Sequence, residues 1–156
     1  NEKVKIIFVP SYLTGSDGIF NLPYYDLLTG MDLTVYPSYY EPWGYTPLES
    51  IAFSIPTITT GLSGFGMWVE YEKGRQVRLS SGVEVIDRTD NNYAETVEKI
   101  AAVIAAYVEK SPNSIVCSRR AAAKLAQLAA WNHFICYYSD AYHIALTKNK
   151  LRTTNN

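Results

Sequence analysis

The sequence has no excess of charge of either sign. Its 156 residues carry 14 lysines and arginines against 15 aspartates and glutamates, a formal net charge of -1. That balance removes the basic footprint expected of a nucleic-acid binder or of a protein held on an anionic membrane. Long hydrophobic runs are missing too, and a bilayer-spanning helix needs about 20 apolar residues. The opening Asn1-Glu2-Lys3 passes straight into a strand-like run, so no signal peptide is expected. Cysteine is scarce, with only Cys117 and Cys136. Placed on one long helix, these two would lie about 28 Å apart at ~1.5 Å per residue. A disulfide needs Cα atoms within roughly 7 Å. Free thiols suit a reducing compartment, so a cytoplasmic location is expected.

What the chain has in quantity is tyrosine. There are 13, and Tyr12, Tyr24, Tyr25, Tyr36, Tyr39, Tyr40 and Tyr45 all fall in the first 45 residues. A tyrosine offers a flat apolar face and a polar tip, which serves a core as well as it serves stacking on a sugar or a base. The length fits one domain with a real core.

Apolar runs and breakers alternate along the chain. Val4–Val9 reads as a buried strand ended by Pro10, followed by a loop to Pro23. Tyr24–Thr29 reads as a short helix stopped by Gly30. Leu33–Tyr36, Pro56–Thr60 and Gly82–Asp87 read as three more strands, with a helix over about Pro47–Phe53 and a glycine-containing loop with a short helix through Ser63–Gly66. Tyr93, Val97, Ile100, Ile104 and Tyr107 form a one-sided apolar stripe on a longer helix. Beyond Pro112, one further helix carries Leu125, Leu128, Trp131, Ile135, Tyr138 and Tyr142 at spacings of three and four. Strands alternating with helices predict an α/β domain with a parallel sheet covered on both faces. His133 and His143 read as structural.

In such sheets ligands bind beyond the carboxyl ends of the strands. The strand ending at Tyr36 feeds such a loop, which leads into a helix. Thr46 fits an N-cap, Pro47 the first helical position, and Glu49 the third member of a capping box. Gly44 allows close backbone approach. Free N–H groups at this helix start suit a phosphate, although a well-capped helix alone accounts for the pattern equally.

The run Tyr36-Pro-Ser-Tyr-Tyr-Glu-Pro-Trp-Gly-Tyr-Thr-Pro-Leu-Glu49 resembles the signature of animal and fungal glycogen synthases. Leu62-Ser63-Gly64-Phe65-Gly66, Trp131, Tyr137-Tyr138 and His143–Leu146 continue the likeness. The resemblance implies a Rossmann-like domain, the C-terminal half of a two-domain retaining glycosyltransferase of the GT-B kind. Residues 1–150 would be that half and 151–156 a frayed tail. The acceptor-binding N-terminal domain would lie outside this chain. The resemblance assigns Glu41 a catalytic place near the donor sugar and Glu49 the ribose hydroxyls. It gives Gly44, Tyr45 and Thr46 the diphosphate, and Tyr24 the stacked base. For each, a structural duty remains open: Glu49 in the capping box, Tyr24 in packing, and Trp43 in the core rather than the sugar pocket.

The implied activity is transfer of glucose from UDP-glucose or ADP-glucose to an α-1,4-glucan, with retention. No cofactor and no metal are expected, since no Asp-x-Asp motif is present. The implied partners are the nucleotide-sugar donor, an α-glucan reached through the missing domain, and other copies in a homo-oligomer. Nucleic acid and membrane are excluded as partners. Alternatives are another retaining glucosyltransferase, such as a sucrose- or trehalose-forming type, or a non-catalytic glucan- or nucleotide-binding module. Cys117–Lys124 stands where the family can carry a glucose 6-phosphate-sensing arginine cluster, and here Arg119 and Arg120 read as a solvated helix face. The apolar stripe of the last helix is expected to be partly exposed.

Overall fold

The structure is a computed structural model and describes residues 4–75 and 77–154. Three short strands form its sheet: Thr34–Val35 (β1), Thr57–Thr60 (β2) and Val83–Ile86 (β3). They run parallel in the order β1-β2-β3, with Thr34 opposite Thr57 and Thr57 opposite Val83. Among the described residues six helices accompany them: Tyr24–Thr29 (α1), Tyr45–Ala52 (α2), Gly64–Lys73 (α3), Tyr93–Val108 (α4), Pro112–Leu128 (α5) and Trp131–Thr154 (α6). This is the expected α/β architecture, with successive parallel strands joined by helical crossovers.

The sheet separates two apolar clusters. One joins Ile51 of α2, Phe65 and Val69 of α3, Val83 of β3, and Ala122 and Leu125 of α5. The other joins Ile58 of β2, Ile86 of β3 and Tyr107 of α4, with Leu79 from a 3₁₀ turn at Leu79–Ser81. Buried hydroxyls are paired, as burial requires. Thr34 meets Ser50 at 2.6 Å and Thr57 at 2.9 Å, and Tyr107 donates to the Asp32 carbonyl at 3.0 Å. Glu84 is 4% exposed. Its carboxylate accepts from Arg78 at 2.8 Å and from the Leu79 N–H at 2.9 Å.

One glycine sets a close approach. Gly82 holds φ 96°, and a Cβ there would stand 2.4 Å from the Ala122 backbone nitrogen. Only glycine lets α5 lie directly on the chain entering β3.

Three expectations are corrected and one is extended. Val4–Val9 is not a strand; it has no regular structure, and Ile6 and Phe8 are 90% and 80% exposed. A strand needs a hydrogen-bonded neighbour, and none of the described strands pairs with this segment. The short helix expected with the loop at Ser63–Gly66 is the ten-residue α3, capped by the Ser63 hydroxyl accepting from the Gly66 N–H. The long C-terminal helix is two helices. The Ala129 N–H closes α5 by donating to the Ala126 carbonyl and the Ala130 N–H to the Gln127 carbonyl, and α6 restarts at Trp131. No glycine or proline marks that break. Cys117 and Cys136 therefore sit on different helices, and both are exposed free thiols. Finally, Arg119 is not merely solvated. It donates to the Met31 carbonyl at 2.8 Å and to Asp32 at 3.3 Å, pinning the link between α1 and β1.

The expected exposure on α6 is present, with Trp131 60%, Ile135 42% and Tyr142 64% exposed. Among the described residues no helix is long and apolar enough to cross a membrane.

Candidate functional site

Three loops gather at the carboxyl ends of the strands: Tyr36–Gly44 after β1, Gly61–Ser63 after β2 and Asp87–Asn92 after β3. The first is held by the other two. Thr60 at the end of β2 donates its hydroxyl to the Ser38 carbonyl at 2.5 Å. The Tyr39 hydroxyl donates to Asp90, Arg88 donates to the Pro37 carbonyl, and the Arg88 guanidinium lies 5.3 Å from the centre of the Tyr39 ring. Asp90 raises the Tyr39 pKa through that hydrogen bond, so the phenol stays a donor.

Glu41 sits at the centre of this frame. Its backbone N–H donates to the Leu62 carbonyl at 3.4 Å and its carbonyl accepts from the Gly64 N–H at 3.0 Å. One step on, the Phe65 N–H donates to the Trp43 carbonyl at 2.6 Å. These bonds explain the second motif, Leu62–Gly66: it is the clamp that holds the first. Gly64 must be glycine, since a Cβ would stand 2.2 Å from the Pro42 carbonyl oxygen. The Glu41 side chain is half-buried, and no hydrogen bond or ion pair engages its carboxylate among the described residues. A carboxylate with no structural partner, in a braced loop, is free to act on a ligand.

The start of α2 differs from the expectation. The helix begins at Tyr45, its N-cap is Gly44 at φ 116° and ψ 76°, and no side chain caps it. Thr46 is therefore inside the first turn, and there is no Thr46–Glu49 capping box. Gly44 is required for its left-handed backbone, and a Cβ there would also meet Phe65 and Pro47 at 3.2 Å. Its hydrogen thus faces the protein core, a packing role beside the ligand approach anticipated for it. The N–H groups of Tyr45 and Thr46 fall in the turn that no helix carbonyl can reach. They have no acceptor among the described residues. This uncapped start is a better anion site than a capped one would be.

Loss of the capping box frees Glu49. Its carboxylate accepts instead from the Tyr25 hydroxyl at 3.0 Å. The Tyr25 ring is stacked on Phe53, with centroids 5.5 Å apart and planes at 23°. Tyr24 lies beside it at 5.3 Å, and its hydroxyl meets that of Tyr36 at 3.2 Å. Burial first, then the Tyr36 hydrogen bond, and more weakly the Glu49 charge, hold the Tyr24 phenol well above its usual pKa. Tyr24 and Glu49 are thus brought to one neighbourhood through Tyr25. The sequence does not reveal Tyr25 or Tyr36 as their partners: two adjacent tyrosines look alike until the helix turns them apart.

Trp43 goes to packing. Its ring lies 6.2 Å from Phe65, 5.9 Å from Trp68 and 5.7 Å from Phe134, tying the loop to α3 and α6. Trp43 and Tyr45 line an aromatic hollow of about 660 Å³ shared with Trp68, Trp131 and Phe134. A larger hollow of about 810 Å³, beside β3 and α4, contains none of the candidate site residues.

Comparison with known proteins places the chain in a family. A family model described as glycogen synthase matches residues 1–153. The chain is 33% identical over 148 residues to glycogen [starch] synthase isoform 1 of Saccharomyces cerevisiae, covering 95% of this chain and 21% of the relative. It is 34% identical over 147 residues to glycogen [starch] synthase of Caenorhabditis elegans, covering 94% and 22%. With the liver glycogen [starch] synthase of Mus musculus the figures are 30% over 147 residues, 94% and 21%. The chain spans about a fifth of the length of these curated relatives. With its two motifs folded into one clamped loop at the carboxyl ends of a parallel sheet, the chain belongs to the glycogen synthase family.

Proposed function

We propose that this segment is the donor-binding half of a retaining glucosyltransferase that lengthens an α-1,4-glucan. The observation that carries the reading is the uncapped start of α2, with two free N–H groups directly after the loop that carries the unpartnered Glu41 carboxylate. Tyr24 would stack on the base, Glu49 would take the ribose hydroxyls, and the Tyr45 and Thr46 N–H groups would take the diphosphate. Trp43 would shape the sugar pocket indirectly, by fixing the loop that carries Glu41.

The chemistry follows from where charge develops. As the bond from the anomeric carbon to the phosphate oxygen breaks, negative charge grows on the diphosphate and positive charge on the sugar. Fixed N–H dipoles meet the first, and the Glu41 carboxylate meets the second. The glucan hydroxyl then bonds to the same face of the sugar that the diphosphate left. In this reading the leaving charge is met by backbone donors and by groups outside this chain, with no resident metal or cofactor assigned a role. The glucan acceptor, and any association of copies, would likewise depend on residues beyond this segment.

The test is an NMR titration of the protein with UDP-glucose and, separately, ADP-glucose. Shifts centred on Tyr24 and Gly44–Glu49, stronger for one nucleotide, support the reading and name the donor. Saturable binding that leaves these residues unmoved would refute it.

A further inference from the structure

We propose that Tyr25 is a positioning residue for Glu49, holding its carboxylate ready for the ribose of the bound nucleotide. The inference rests on the donor-site reading above, which already gives Glu49 the ribose, and adds Tyr25 to it.

A glutamate side chain that is free in the empty protein must be ordered when it meets a ligand, at an entropic cost. Here the cost is already met. The Tyr25 hydroxyl donates to Glu49 Oε1 at 3.0 Å. The Tyr25 ring, 48% exposed, is stacked on Phe53, the residue that closes α2 four positions after Glu49. Phe53 holds the ring face of this tyrosine and Glu49 its hydroxyl. No cation competes for the carboxylate among the described residues.

The hydrogen-bond count leaves room for that ligand group. An ionised carboxylate has about four acceptor sites and donates nothing. Tyr25 takes one site on Oε1, leaving the rest of that oxygen and all of Oε2. The complement is a group with two neighbouring O–H donors and no negative charge. A ribose 2′,3′-diol has that form and a phosphate does not. Position agrees with chemistry. The Tyr24 ring lies 5.3 Å from that of Tyr25, which bonds Glu49, and the free N–H groups of Tyr45 and Thr46 come one helical turn before Glu49. Base, ribose and diphosphate occur in the same order in a nucleotide.

Tyr25→Phe keeps the ring and its stack and removes only the hydroxyl. Affinities for UDP and ADP, and for their 2′,3′-dideoxy analogues, should be measured by calorimetry on the full natural protein that carries this segment. Wild type should prefer the ribose form. Tyr25→Phe should bind that form about fivefold more weakly, the size of one hydrogen bond's net contribution. Its affinity for the dideoxy form should not change. Glu49→Gln should likewise shrink the ribose preference. Equal weakening toward both forms would mean a structural role only, and an unchanged preference in Tyr25→Phe would also overturn the proposal. Binding by wild type without ribose preference would overturn it while leaving the donor site standing. Failure of wild type to bind either nucleotide would refute the donor site itself.

Discussion

Two apolar stretches of this chain have opposite fates. Every residue of β2, Thr57–Thr60, is buried, with Ile58 fully enclosed between the other two strands and α4. Val4–Phe8 is as rich in strand-forming residues, yet Ile6, Ile7 and Phe8 are 90%, 62% and 80% exposed. The same contrast separates α5, which buries Ser118, Ala122 and Leu125, from α6, whose apolar residues face mainly outward. A strand or helix pattern states which side wants to be covered. Whether it is covered depends on a neighbour that the pattern itself does not supply. The neighbours of β2 lie within this segment. Those of Val4–Phe8 and of much of α6 are not among the described residues.

The sharpest way to break this comparison is to substitute on both sides of it. Phe65→Ala removes a fully buried ring at the junction of α3, Trp43 and Trp68, and should cost about 3–5 kcal/mol. Gly82→Ala should cost about 3 kcal/mol, from strain at a left-handed backbone and from overlap with the α5 backbone. Phe8→Ala should cost under about 0.5 kcal/mol, as for exposed sites generally. Urea unfolding midpoints measure all three. A Phe8→Ala cost approaching that of Phe65→Ala would show that the N-terminal segment packs after all.

Gly64→Ala tests the clamp rather than the core. The new Cβ would collide with the Pro42 carbonyl, and the cheapest relief is to push the Glu41 loop off α3. Nucleotide-sugar affinity should fall by more than about tenfold, one such factor being about 1.4 kcal/mol. Circular dichroism should stay close to wild type. Unaltered affinity would show that the loop does not need its anchor.

The elements were mostly legible because their signals are local. Tyr24–Thr29 has its helix and Gly30 its stop as expected, and β1 to β3 fall within the expected strands. Capping was missed in one place and misleading in another. Ser63, read only as part of a loop, caps α3 as a short polar side chain can. Thr46 does not cap α2, because Gly44 reaches a backbone conformation that threonine avoids and starts the helix two residues earlier. The candidate site residues were legible through the motif. Their partners were not, because Tyr25 meets Glu49 across 24 residues of sequence and Arg88 meets Pro37 across 51. Such pairings are set by the sheet order and leave no periodic trace.

The smallest expected effect lies in the exposed loop that joins Val4–Val9 to α1, where local bonding stands in for packing. Asp17 Oδ1 accepts from the Ile19 and Phe20 N–H groups at 2.9 and 2.7 Å, and Oδ2 accepts from the Asn21 N–H at 3.0 Å. These bonds, the Phe20 bond first, hold the Asp17 carboxyl below its ordinary value of 3.8. A depressed pKa means that the unfolded loop binds the proton more readily than the folded one. The stabilisation is therefore complete above pH ~4, near the unfolded value, and is lost as pH falls through the folded value. The amide shifts of Ile19, Phe20 and Asn21, followed from pH 5 to about 2, should titrate together with a midpoint below that of a free aspartate. Ile58, enclosed in β2, should not move over that range. A midpoint at or above the free value would mean that the carboxylate does not hold the loop, and the turn would then owe its shape to Gly15 and Gly18, both at positive φ.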